Sequence, residues 1–296
     1  MLKRQLFFCL LGVLTCITAT YSQTLLEYSL KPGQIYKIKQ VAKQQMEQKI
    51  EGTTHEISNE LGGIFQFKIE EKLASSYKIE MQFLEFKMKS TSNLQGVLME
   101  VDTKNPSVSD EMTTKIFGAL IGTPLQMEMT TAGKITSVTG GDALIDKMAA
   151  ATGLDEATQE IMKGSLRKEF SSEGLAQSFE QMTFIYPGQK KAQGEQWNTQ
   201  FNGKINADNL WTLEKVSGKI ASITGTAEIT MQNQDANLIL ELTGNQEIAL
   251  ESDLNSGFLT KMMVQGTGEG KSIMASMGME IPTTLTQTIT YELITD

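Results

Sequence analysis

The chain is poor in reactive side chains. Its 296 residues contain two cysteines, one histidine and five prolines, and no long apolar run beyond the first twenty or so positions. Both cysteines, Cys9 and Cys16, fall in the opening stretch MLKRQLFFCLLGVLTCITATYSQ, which reads as an export signal. Lys3 and Arg4 form its positive start, Leu6 to Ala19 its apolar core, and Thr20-Tyr21-Ser22 its small-residue end before Gln23. Removal of residues 1–22 would leave one thiol-free chain, 23–296. Such a chain forms no disulfide and offers no thiolate as nucleophile or metal ligand. A single histidine, His55, cannot build a multi-histidine metal site. No metal, no other cofactor and no catalytic set is expected. The apolar core of the leader is about 14 residues, short of the roughly 20 that a spanning helix needs, so no transmembrane span is expected. The expected location is periplasmic or secreted, in a bacterial envelope. Acylation of Cys16 to give a lipoprotein anchor is the alternative, although Thr15 before it fits that signal poorly.

Positive charge is also scarce. There are 26 Lys and Arg against 35 Asp and Glu, a formal charge of −9. Lys3 and Arg4 belong to the leader, so the remainder carries about −11. Phosphate contacts need clustered Lys and Arg, which argues against a nucleic-acid partner. The same sign argues against docking on anionic lipid head groups.

What is abundant is alternation. From Tyr36 to Ile50 the even positions are apolar or long, and the odd ones are mostly Lys, Gln and Glu. His55 to Ile69 repeats the pattern on odd positions, ending in Phe65, Phe67 and Ile69. Period two is a strand with one wet face. Glu51-Gly52-Thr53-Thr54 between these segments predicts the turn of a hairpin. A third segment carries Tyr77, Ile79, Met81 and Phe83 on one face. Its phase slips at Leu84 before resuming at Phe86 and Met88, which predicts a β-bulge. Strands this long suit a strongly curved sheet or an incomplete barrel.

The middle of the chain changes period. Met112 to Ile121 predicts a short helix with Asp110 near its start, and Thr131-Ala132-Gly133 the turn of a hairpin. A helical block follows over 142–182. Asp142 is placed as the first cap, Asp155 as the second and Ser172 as the third. The middle helix carries Leu154, Thr158, Ile161, Met162, Leu166 and Phe170 on or beside one stripe. After Phe184 the alternation returns and runs to Leu293.

Several motifs dissolve on inspection. Gly266-Thr-Gly-Glu-Gly-Lys-Ser272 resembles a phosphate loop, but that loop has four residues between its first glycine and the Gly-Lys pair, and the position so required is Gln265. It reads as a flexible connection. Glu70-Glu71 and Asp110-Glu111 are adjacent carboxylates, and neighbours on a strand face opposite ways, which suits solvated charge better than a glycosidase pair. Trp197, Phe201 and Trp211 sit in strand patterns and read as core. Met262, Met263, Met274, Met277 and Met279 read as core filling, or else as a soft lining for a lipid or peptide.

Leu30-Lys-Pro-Gly-Gln-Ile-Tyr36, Met129-Thr-Thr-Ala-Gly-Lys-Ile-Thr136 with Gly140, and Pro187-Gly-Gln with Gly194-Glu-Gln-Trp197 carry a resemblance. The chain resembles an uncharacterised family of exported β-rich proteins of Bacteroidetes and Planctomycetes. That family implies no activity and no site residues. At the level of fold, the β-helix-β plan is similar to the periplasmic lipoprotein carriers, open half-barrels with a helical lid over an apolar cavity.

The expected fold is mainly β: one domain over 23–296, an antiparallel incomplete barrel or strongly curved sheet, with the helical insertion 142–182 packed on its concave face. The leading functional expectation is non-enzymatic binding of a lipid or other apolar or amphipathic ligand. Phe65, Phe67, Ile79, Met81, Phe83, Leu166 and Phe170 are the candidate ligand-binding residues. An envelope assembly protein acting through protein partners is the alternative, and a carboxylate-based hydrolase the third reading.

Overall fold

The computed structural model describes residues 23–203, 205–234, 238–274 and 278–295. The leader and Met277 lie outside these residues. Two long hairpin strands open the fold, β2 (Ile35–Ile50) and β3 (Thr53–Lys72), after a short β1 (Thr24–Leu26). Only Glu51 and Gly52 form the turn between them, both at positive φ (49° and 83°), the backbone that a tight two-residue hairpin needs. The structure thus places Thr53 and Thr54 inside β3, not in the turn.

β4 (Ser76–Ser92) pairs with β3, and the bulge lies where the phase slips. Ile64 opposes Glu85 and Phe65 opposes Phe83, so Leu84 is the residue left without a partner. The bulge re-aims the strand so that Phe83 (5% exposed) and Phe86 (8%) both turn inward. The outer edge of β4 is shared. Its first half pairs with β6 (Leu125–Thr130), which pairs on to β7 (Ile135–Thr139), and its second half pairs with β5 (Gly96–Asp102).

The second half of the chain is an antiparallel meander. It comprises β9 (Gln196–Phe201), β10 (Ile205–Ser217), β11 (Ile220–Gln234), β12 (Leu238–Asp253), β13 (Leu259–Met274) and β14 (Met279–Ile294). β14 pairs with β2, which joins the two halves into one twelve-stranded sheet running from β7 to β9. The sheet does not close: β7 and β9 are free ends, both short, as exposed edges usually are. A separate ribbon of β1 with β8 (Gln189–Lys191) ties the start of the described chain to the segment leading into the meander.

The Gly266–Ser272 segment is not a loop. It is the middle of β13, in register with β12 and β14. Gly266 and Gly268 share the inward phase of Met262 and Val264, and the bare strand leaves room for the side chains of Gln246 and Gln287. A Cβ at position 266 would sit 3.0 Å from Gln287 Nε2 and 3.1 Å from Gln246 Cγ.

The helices are α1 (Glu111–Gly118), α2 (Gly141–Ala150), α3 (Glu156–Phe170) and α4 (Ser172–Thr183). α4 lies in the trough of the sheet. Its Phe179 ring meets Phe65, Phe67 and Phe83 at centroid distances of 5.4, 5.8 and 6.2 Å. α2 buries Leu144, Ile145, Met148 and Ala149. α3 departs from expectation. It packs mainly on α2 and α4 and reaches the sheet through Phe170, whose ring lies 6.5 Å from that of Phe83; only Phe170 is buried, and Ile161 of the expected stripe is 76% exposed.

Two of the three expected caps move. Gly140, with φ 98°, stands at the cap position of α2, and Asp142 sits in its first turn. Ser171, not Ser172, caps α4, its side chain accepting from Gly174 N. Asp155 caps α3 and Asp110 caps α1, accepting from Thr158 N (3.1 Å) and Thr113 N (2.9 Å). The threonine hydroxyl, and then the backbone N–H, hold both carboxyls below their usual pKa. A depressed pKa stabilises the fold above the unfolded value, and that contribution fades as pH falls through the folded one. The first turns of α1 and α3 are therefore expected to lose amide protection as pH drops below about 4. At neutral pH, Asp155→Ala should remove the protection of the Thr158 amide while leaving the sheet protected. Equal protection in both proteins would refute the assignment.

Candidate functional site

A cavity of about 430 Å³ lies between α3, α4 and the inner face of the first-half strands. Its sheet wall is Leu61, Phe65, Phe83, Phe86 and Met88, placed on one face by strand alternation and by the Leu84 bulge. Its helical wall is Phe117 of α1, Leu166 and Phe170 of α3, and Leu175, Phe179 and Met182 of α4. Phe86 and Phe117 stack at 4.9 Å with planes 3° apart, so α1 closes the side of the cavity next to β5. Leu61 faces inward yet is 36% exposed, which puts it at the rim. A volume of 430 Å³ falls within the roughly 300–1,000 Å³ typical of small-molecule sites.

A second chamber of about 40 Å³ adjoins it on the β9–β14 side. Phe201, Trp211, Ile248, Met262 and Val264 line it, with Glu180, Asn209 and Gln246 among its polar walls. At that size it holds water molecules, not a lipid. Ile289 and Tyr291 of β14 and Gln181 of α4 line both chambers and form a waist between them. Tyr291 is 5% exposed, and burial pushes its hydroxyl pKa well up. Glu180 is half-buried; desolvation raises its carboxyl, partly offset by Lys134 and by the Ile135 backbone N–H.

Of the seven residues proposed from sequence, Phe65, Phe83, Leu166 and Phe170 line the large cavity. Phe67, Ile79 and Met81 do not; they are 2%, 1% and 0% exposed within the packed core. Ile79 and Met81 lie further back along β4, where they pair with Met127 and Leu125 of β6, and Phe67 of β3 pairs with Met81. Sequence reasoning missed the aromatic partners Phe86 and Phe117 and the two-chamber position of Tyr291. The phase slip at Leu84 was the available signal for Phe86. Tyr291 lies opposite Gln40 through a pairing of the last strand with an early one, which periodicity does not reveal.

The other candidate residues are structural. His55 Nε2 lies 2.9 Å from Ser92 Oγ, and the Ser92 hydroxyl also accepts from Leu94 N and Gln95 N, so the group caps the β4–β5 turn. Glu70 and Glu71 pair with Lys68 and Lys78, each at 2.7 Å, at the surface. Trp197 Nε1 donates to the Ile185 carbonyl and Trp211 Nε1 to Thr199 Oγ1, both rings buried. Met262 faces inward, whereas Met263 and Met279 are exposed. Among the described residues no group of three His, Cys, Asp or Glu could hold a metal, and no helix is long and apolar enough to cross a membrane.

Fold and site together define an open antiparallel β-trough with helices laid over an apolar cavity. The chain belongs to the Family of unknown function (DUF6263), whose profile matches residues 74–259. No curated protein matches it in sequence. Among solved structures it is similar to lipovitellin, in a structure concerned with lipid-protein interactions. The TM-score is 0.51 at 9% identity, over 90% of this chain and 26% of that one. The chain thus spans about a quarter of lipovitellin's length, and at this identity the likeness is one of fold alone. The translocator domain of the autotransporter NalP from Neisseria meningitidis (TM-score 0.22, 7% identity, 89% of each chain) carries no argument. An outer membrane channel from Pseudomonas putida F1 (TM-score 0.18, 5% identity, 90% of this chain and 97% of that one) carries none either. Nothing in these comparisons points to an enzyme.

Proposed function

We propose that this protein is a non-enzymatic carrier of an apolar or amphipathic ligand, exported through its N-terminal leader, with the ligand held in the 430 Å³ cavity. One observation carries the reading: a space of this size inside the fold is walled by aromatic and aliphatic side chains that belong to the main buried core. A well-packed interior leaves few voids larger than a water molecule, so a space this size calls for an occupant. The lipid-related fold neighbour is consistent with it.

Titration with diphenylhexatriene, a hydrocarbon fluorophore without polar atoms, tests the reading. Saturable binding at one site is expected. Leu61→Trp at the rim should weaken it by about tenfold or more, equivalent to about 1.4 kcal/mol, because the larger ring fills the mouth. Being a partly exposed apolar exchange, it should leave stability within about 1 kcal/mol. Binding that is absent, or unaffected by Leu61→Trp, would contradict the reading. Export has its own test: the mass of the protein from its native cells should correspond to Gln23–Asp296, and an intact Met1 would overturn it.

The assembly reading keeps one specific observation. Leu94, Val97 and Leu98 at the tip of the β4–β5 hairpin are 62%, 55% and 45% exposed. Capture of a protein partner that is lost with Leu94→Asp would favour that reading.

A further inference from the structure

The waist between the chambers carries hydrogen-bonding groups that the protein leaves unused. Tyr291 is almost wholly buried, and its hydroxyl makes no hydrogen bond among the described residues. Gln40 stands opposite Tyr291 in the β2–β14 register and lines the large chamber. Gln181 reaches both chambers from α4. Gln40 is partly exposed and Gln181 exposed, so water reaches both amides in the empty protein. The Tyr291 hydroxyl is not among the fully enclosed polar atoms that lack a partner, so it opens onto the cavity space. Placed at a cavity wall, it is the kind of group that orients a ligand.

The charges around the cavity restrict what that ligand is. Glu169 and Glu180 are among the lining residues, and among the described residues no Lys, Arg or His lines either chamber, although Lys134 acts on Glu180 from nearby. A carboxylate or phosphate brought to the waist would lose part of its water beside the Glu180 carboxylate. An ester, amide or alcohol would satisfy the tyrosine and glutamine donors without that cost.

We propose that the ligand is a neutral amphipath, with one hydrocarbon chain lying in the large chamber and an uncharged ester, amide or alcohol group hydrogen-bonded at the Tyr291–Gln40–Gln181 waist. This rests on the reading of the cavity as an apolar-ligand site. A fatty acid with a free carboxylate is the wrong ligand.

The test uses the full chain stripped of lipid and titrated at pH 8 with 1-monooleoylglycerol, with oleate and with diphenylhexatriene, alongside Tyr291→Phe. Monooleoylglycerol should bind about tenfold tighter than oleate or better. Tyr291→Phe should weaken monooleoylglycerol severalfold and leave diphenylhexatriene unchanged. The thermal midpoint of the empty variant should not fall, because the lost hydroxyl had no partner. Oleate binding as tightly as monooleoylglycerol, or unchanged monooleoylglycerol affinity in Tyr291→Phe, would overturn the proposal while the cavity reading stands. Failure of all three probes to bind would overturn both.

Discussion

Gly133→Ala is expected to destabilise the fold by more than about 3 kcal/mol and to release the end of α4 from the sheet. Two independent effects add at this position. Gly133 has φ 94°, in the left-handed region that residues with a Cβ avoid. A Cβ there would also overlap the Thr183 carbonyl oxygen and lie 2.7 Å from Tyr28 Cε2. That contact is a junction of three segments. The Thr183 hydroxyl donates to the Gly133 carbonyl (2.7 Å), and the Tyr28 hydroxyl donates to the Thr183 carbonyl (3.1 Å). Moving either backbone breaks bonds that seat α4 in the trough, and α4 supplies much of the cavity wall. Urea denaturation measures the loss, and loss of diphenylhexatriene binding should accompany it. A stability change under about 1 kcal/mol would show that the junction yields without cost.

Phe179→Ala is expected to cost about 3–5 kcal/mol, the range for truncating a buried aromatic ring. Phe179 is 6% exposed and meets three other rings, two of them in the cavity wall. For a chain of this size the loss corresponds to a fall of roughly 6–20 °C in the thermal midpoint. Ile161→Ala on α3 is the control. Its side chain is 76% exposed, and the change should stay within about 0.5 kcal/mol. If the two variants melt alike, α4 is not the element that holds the trough together.

The long strands were legible because one wet face and one dry face write period two into the chain. Even the bulge could be read, since Leu84 shifts that phase by one residue. β13 was misread for the converse reason. Its inner positions include Gly266, Gly268 and Gly270, so the alternation there is one of glycine against Gln265, Thr267, Glu269 and Lys271. A row of absent side chains looks like a loop, although its period is still two. α3 misled through its apolar spacing, because Ile161 has the right period and no partner: the helix rests on α2 and α4 and meets the cavity only near its C-terminal end. Caps slipped by one or two residues, Gly140 for Asp142 and Ser171 for Ser172, because close approach of backbones at the α2 start favours glycine over a side-chain cap. Part of the cavity wall was visible, Phe65 and Phe83 as aromatic positions on two alternating strands and Leu166 and Phe170 on a helical stripe. The waist was not, because it depends on β14 returning to β2 across most of the chain, and no local pattern encodes that pairing.

Native mass spectrometry of the protein purified without detergent, followed by solvent extraction of the bound species, tests the cavity's role most directly. The expected spectrum shows one neutral lipid-like molecule per chain. It should be released on denaturation and absent from Leu61→Trp. A ligand-free mass for the wild-type protein that persists after incubation with monooleoylglycerol would contradict it.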